Sequence, residues 1–277
     1  MTTTTALTDT TDDIAARIPP KSRQLWRTLV GISALLLFTI ATTIPAIGGI
    51  NIDLASIVHN WHNGYSKMLQ MLQPNFDFLP RTWRPMVETL QMALVGAAAS
   101  AVVSISLTLW AAKPTNPDGL TRSIVRTMIN VIRAVPDLVY ATVLVAMVGV
   151  GALPGVLTLF LFNIGIVVKL VSEAIDSADH SYMEAGRAGR GPQTHLHRSN
   201  ALAQTWPLFA NQWLYTLELN VRISAILGIV GAGGIGRLLD ERRAFYAYSD
   251  VSIIILEILV VVIAIELLSN FIRKRLV

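Results

Sequence analysis

Three pairs of opposite charges stand four residues apart within apolar sequence: Arg133 and Asp137, Lys169 and Glu173, and Glu218 and Arg222. On an α-helix that spacing puts both members on one face, within reach of each other. A charge at the centre of a membrane helix costs about 2.5–3.5 kcal/mol on insertion scales, so such pairs should face a bundle interior or a wet cavity. Two readings follow. A pair can neutralise itself and staple helices, which suits Lys169 and Glu173, because a lysine near a span's end can snorkel. The other two pairs lie deeper and read as a solute path. Pro136 removes a backbone donor beside Asp137 and loosens that helix, and Asn220 adds an uncharged polar group between Glu218 and Arg222. Arginine points to an anionic solute, since its planar guanidinium bonds phosphate-like oxygens in pairs.

The elements that position these charges are membrane spans. Of 277 residues 53% are hydrophobic and 14% charged, and the mean hydropathy is +0.54, whereas a soluble domain carries about 25% charged residues. Apolar stretches of ~20 residues recur, at about 29–47, 90–112, 128–150, 155–168, 209–230 and 251–271. The expectation is an all-α polytopic protein with about six transmembrane helices. The fourth stretch is short and the third begins as an amphipathic segment carrying Arg126, Asn130 and Arg133, so both are expected to be broken or cavity-lining. In the second, Gly96, Ser100 and Ser104 recur every fourth residue, which lets another backbone approach, from this chain or a second one.

Residues 1–26, Thr-rich and ending near Pro19 and Pro20, read as a flexible cytoplasmic tail; 27–84 as the first helix and an extracytoplasmic connection; 85–277 as the transmembrane core, with a cytoplasmic loop at about 176–206. Placing both termini in the cytoplasm puts Arg17, Lys21, Arg23, Arg27, Lys113, Arg122, Arg126, Arg187, Arg190, Arg198, Arg273, Lys274 and Arg275 inside. Only Lys67, Arg81, Arg84, Arg237, Arg242 and Arg243 fall outside, the bias the positive-inside rule requires. The net charge of +4 is then spent on membrane orientation, and neither a basic stripe nor interleaved aromatics suggest nucleic acid.

Other chemistries are set aside. With no cysteine, disulfides, thiolate metal sites and cysteine nucleophiles are excluded. His195 and His197 lack further ligands and read as a solvated basic loop. The run from Gly231 to Gly236 matches G-x-G-x-x-G in form. It follows a membrane span rather than a β-strand, so Gly231, Gly233, Gly234 and Gly236 read as a tight turn or gate. No P-loop motif occurs, so ATP-driven work needs a partner.

In the cytoplasmic loop, Tyr182-Met183-Glu184-Ala185-Gly186-Arg187-Ala188-Gly189-Arg190-Gly191 resembles the E-A-A loop of ABC-importer permeases. Around it, Arg133-Ala134-Val135-Pro136-Asp137, Lys169-Leu170-Val171-Ser172-Glu173 and Glu218-Leu219-Asn220-Val221-Arg222, followed by the glycine run, resemble the phosphonate-type (PhnE-like) permeases, in consistent order over about residues 85–277. Two positions depart from the family pattern: Arg190 stands where it has glycine, between Gly189 and Gly191, and Leu202-Ala203 where it has Leu-Pro.

The resemblance implies a permease subunit in the bacterial inner membrane, itself not an enzyme and binding no cofactor, that passes phosphonate, phosphate or phosphite. It implies two ATP-binding subunits using ATP and Mg, an extracytoplasmic solute-binding protein and a second, identical permease copy within the lipid. Glu184, Ala185, Gly189, Arg190 and Gly191 would couple to the ATPase. A methionine-type permease shares the glycine-rich ending, and an ATP-independent channel or membrane scaffold is the reading from another class.

Overall fold

A computed structural model describes residues 22–42, 54–177 and 202–276. The coupling-loop residues Glu184, Ala185, Gly189, Arg190 and Gly191, with His195 and His197, lie outside the described residues. Contacts group the chain into two units, Met1–Tyr65 and Ser66–Val277.

The described elements are helices: α1 (Ser22–Ala41), α2 (Leu54–His59), α3 (Trp61–Met71), a 3-10 turn (Phe76–Phe78), α4 (Leu79–Ala111), α5 (Gly119–Ala134), α6 (Asp137–Val148), α7 (Ala152–Ser177), α8 (Leu202–Leu227), a second 3-10 turn (Gly228–Val230), α9 (Gly234–Ala244) and α10 (Tyr248–Leu276). Among the described residues four helices are long and apolar enough to cross a membrane, or five if the α5–α6 pair is one span. Within the described residues the first stretch contributes the apolar helix Trp26–Ala41; its remainder, 43–47, lies outside the described residues.

The third stretch is broken as expected: α5 and α6 meet at 87°, because Pro136 cannot donate and biases Val135 away from the helical region. Val135 is extended (φ −87°, ψ 125°). The fourth stretch runs unbroken for 26 residues as α7, and it is cavity-lining rather than broken. Its polar second half remains helical because the charges find partners: Lys169 bonds Glu173 at 2.5 Å, and Asp176 pairs with Arg126 and accepts from the Lys113 amide at 2.7 Å.

In hydrocarbon, helices gain little from hydrophobic burial against each other and associate through close packing and interhelical hydrogen bonds. The Gly96, Ser100, Ser104 stripe serves packing within the chain: a Cβ at Gly96 would stand 2.9 Å from the Leu159 Cβ of α7. Gly96 meets Leu159 while Lys113 reaches Asp176, so α4 and α7 run parallel, with the broken pair returning the chain between them. Helix α8 runs antiparallel to α4. Trp213 donates from Nε1 to the Ala97 carbonyl at 2.9 Å, and Asn220 from Nδ2 to the Ala93 carbonyl at 3.0 Å. Leu159, Val167, Val171 and Ala97 are buried where these helices meet.

Local chemistry sets the ends. Asp118 caps α5, accepting from the Thr121 hydroxyl and from the Leu120 and Thr121 amides. Those bonds, the hydroxyl's first, hold its carboxyl below the usual carboxylate range, as capping a helix N-terminus should. At the other end of the bundle, Ser252 and Ser249 on α10 bond the Met71 and Gln70 carbonyls, tying the C-terminal turn of α3 to the start of α10. The outward face of α10 exposes Ile255, Leu259, Ile263 and Leu267, with the exposed Glu266 and Asn270 on the same side toward its C-terminal end.

Candidate functional site

Arg133 and Asp137 stand on opposite sides of the α5–α6 break, so the expected shared helix face does not exist. No ion pair joins them among the described residues. The bend that separates them opens a cavity of about 350 Å³ lined by both, together with Pro136, Tyr140, Phe162 and Ile166. That volume lies at the lower end of ligand pockets, ~300–1,000 Å³. The Tyr140 hydroxyl donates to the Ile132 carbonyl at 3.0 Å, bridging the break and satisfying an acceptor at the end of α5. Asp137 accepts from the Leu138 amide at 2.9 Å, in the first turn of α6, where the helix dipole favours negative charge. The Arg133 stem crosses α7 at Gly165, where a Cβ would come within 2.8 Å of Arg133 Cγ.

Lys169 and Glu173 keep their helical pairing and line a smaller cavity of about 180 Å³ with Arg126 and Asn130. Arg126 donates from Nε to the Ala111 carbonyl at 2.7 Å and pairs with Asp176. It thus locks the end of α4 to α5 and α7 through Nε and Nη2.

Glu218 and Arg222 also pair as the spacing requires, 2.7 Å apart. Asn220 does not join them. Two residues along a helix is 200° of rotation, and Asn220 is fully buried toward α4, on Ala93. In its place the fold supplies two residues from α10: Arg273, whose Nη2 is 3.7 Å from Glu218, and Glu266, whose carboxylate is 4.0 Å from Arg222. Sequence reasoning placed Arg273 with the cytoplasmic cations and passed over Glu266. The available signal was the acid itself, an ionisable residue in an apolar run.

The glycine run forms a turn packed against α4 and α7. Gly233 has φ of +82°, and a Cβ there would stand 2.7 Å from the Glu88 Oε1, so both conformation and space favour glycine. The Gly231 carbonyl accepts from the Gly151 amide at 3.0 Å. The Ile235 amide donates to Thr89 Oγ1 at 2.8 Å, and that hydroxyl donates onward to the Pro85 carbonyl one turn back in α4 at 3.0 Å. Where α9 begins, a Cβ at Gly234 would stand 2.5 Å from Thr89 Oγ1 and one at Gly236 2.0 Å from the Ala225 carbonyl oxygen, whereas one at Gly231 would meet Val150 at 3.4 Å. No group of acids and histidines that could hold a metal occurs among the described residues.

Long apolar helices, one of them broken at a cavity that carries charge, define a polytopic membrane transport protein. The chain belongs to the family described as the binding-protein-dependent transport system inner membrane component, which matches residues 104–277. It is similar to the phosphite transport system permease protein PtxC of Stutzerimonas stutzeri, at 38% identity over 207 residues, 74% of this chain and 75% of that protein. It is also similar to the phosphate-import permease protein PhnE of Mycolicibacterium smegmatis, at 34% identity over 235 residues, 84% of this chain but 44% of that protein. Among solved structures, an inward-facing MetNI methionine ABC transporter chain shares the fold, with a TM-score of 0.66 at 20% identity, covering 73% of this chain and 99% of that one.

Proposed function

We propose that this chain is the permease subunit of an ATP-driven importer of phosphonate-class oxyanions, phosphonate, phosphate or phosphite, and forms their path across the membrane. The similarity to permeases named for phosphite and phosphate, at 38% and 34% identity, carries the reading. The chemistry supports it. Arg133 lines a cavity with no carboxylate partner among the described residues, and Arg222 projects from the bundle beside Glu218; unspent guanidinium donors in a low-dielectric path suit a tetrahedral oxyanion. The path opens alternately to each side, with both termini in the cytoplasm.

The energy comes from outside the chain. Two ATP-binding subunits using ATP and Mg would dock on residues 184–191, and an extracytoplasmic solute-binding protein would deliver cargo. A second, identical copy would complete the path, since Gly189 and Gly191 beside Arg190 supply the backbone freedom of the glycine that Arg190 replaces.

Expressing the chain as the sole permease with its ATP-binding subunit, then measuring subunit mass and ATP-dependent phosphite, phosphate and methylphosphonate uptake in liposomes with the binding protein, tests this. Uptake by a complex with two copies of this chain is the expected result. Activity that appears only after a different permease chain is added overturns the identical pair, and uptake of none of the three anions by any assembled complex overturns the substrate class.

A further inference from the structure

The ion cluster on α8 and α10 holds more donor capacity than the chain uses. Glu218 has only 11% of its side chain exposed and sits between two guanidiniums: Arg222 Nη2 at 2.7 Å from Oε1, and Arg273 Nη2 at 3.7 Å from Oε2. The first is a charge-assisted hydrogen bond; the second is beyond hydrogen-bond length and acts through charge alone. Arg273 Nε and Nη2 are both buried with no hydrogen-bond partner.

Arg126, which staples helices, donates from Nε to the Ala111 carbonyl and from Nη2 to Asp176; Arg273 makes no hydrogen bond through Nε or Nη2. It lies in the last turn of α10, where an arginine side chain leans back toward its helix's N-terminus, carrying the charge into the bundle rather than out with Lys274, which is exposed. Two guanidiniums beside the buried Glu218 carboxylate, with the exposed Glu266 carboxylate 4.0 Å from Arg222, present donors that a tetrahedral oxyanion with three or more acceptor oxygens would use and that these carboxylates use only in part.

We propose that Arg273 is a specificity-determining residue of the oxyanion path, and that the Glu218 carboxylate holds, between Arg222 and Arg273, the place an oxyanion takes in transit. The proposal rests on the oxyanion-import reading above. Glu218 then sets how tightly the path binds its cargo: its negative charge competes with the anion, keeps the empty path from trapping one, and returns when cargo leaves.

The importer purified with its ATP-binding subunits, dialysed to equilibrium without ATP against labelled inorganic phosphate, phosphite or methylphosphonate, tests this. Glu218→Gln removes the competing charge but keeps the side chain's shape, and should tighten anion binding roughly tenfold over wild type, the weight of one charge-assisted bond. A misfolded variant cannot gain affinity. Adding Arg273→Gln should abolish the gain, whereas adding Lys274→Gln, which removes an equal charge from the same turn, should preserve it. In liposomes Arg273→Gln alone should raise KM for the anion, Arg273→Lys should recover part of the loss, and Lys274→Gln should match wild type.

If Glu218→Gln binds no tighter, or its gain survives Arg273→Gln, the assignment of Arg273 and Glu218 is wrong even though wild type imports the anion. If wild type imports none of the three anions, the oxyanion reading itself has failed.

Discussion

Gly236 on α9 lies so close to Ala225 on α8 that a Cβ at position 236 would stand 2.0 Å from the Ala225 carbonyl oxygen. The obstacle is backbone, which cannot rotate away as a side-chain tip can. Gly236→Ala must therefore push α9 off α8, at a cost of about 1–3 kcal/mol or more. Unfolding of the purified protein in detergent should show a lower midpoint for Gly236→Ala than for Gly119→Ala, where a Cβ meets only the Arg122 side chain at 3.8 Å. Equal midpoints would contradict the packing described.

Asn220 ties α8 to α4 by its bond to the Ala93 carbonyl. Asn220→Ala removes that interhelical bond and leaves the Ala93 carbonyl only the bond within its own helix, at about 0.5–1.5 kcal/mol. The variant should unfold at lower denaturant while the assembled fraction still transports. Lost uptake with unchanged stability would place Asn220 in the path instead.

Arg222→Gln removes the more exposed guanidinium of the Glu218 cluster, with 47% of its side chain uncovered, and leaves Glu218 beside Arg273. Uptake should fall by roughly tenfold or more, the weight of a charge-assisted hydrogen bond, with assembly largely kept. A purified variant that assembles and transports at the wild-type rate makes Arg222 a structural residue.

Glu184→Arg reverses a charge at the opening of the segment proposed to dock on the ATP-binding subunit. ATP hydrolysis should become uncoupled from uptake, or the subunit should dissociate on size-exclusion chromatography. Coupled transport at the wild-type rate refutes the docking assignment.

Composition and hydropathy alone determined that this chain is an all-helical membrane protein, because apolar runs of span length have no other stable form in lipid. The i, i+4 rule also determined the Glu218–Arg222 and Lys169–Glu173 pairs, since both members ride one continuous helix and no distant residue is needed to bring them together. The same rule failed at Arg133 and Asp137. Pro136, which the sequence displays, ends the helix between them; how far the chain turns there, 87°, depends on what the two halves pack against. Likewise the end of α7 beyond its apolar run is held by distant partners as well as by the Lys169–Glu173 pair: Arg126, fifty residues away, pairs with Asp176, and the Lys113 amide donates to the same carboxylate. Local pattern shows which residues must avoid lipid, but not what they meet once they do. That Asn220 turns to Ala93 while Arg273 turns to Glu218 was decided by how α4, α8 and α10 cross, a relation between segments that are not neighbours in the chain.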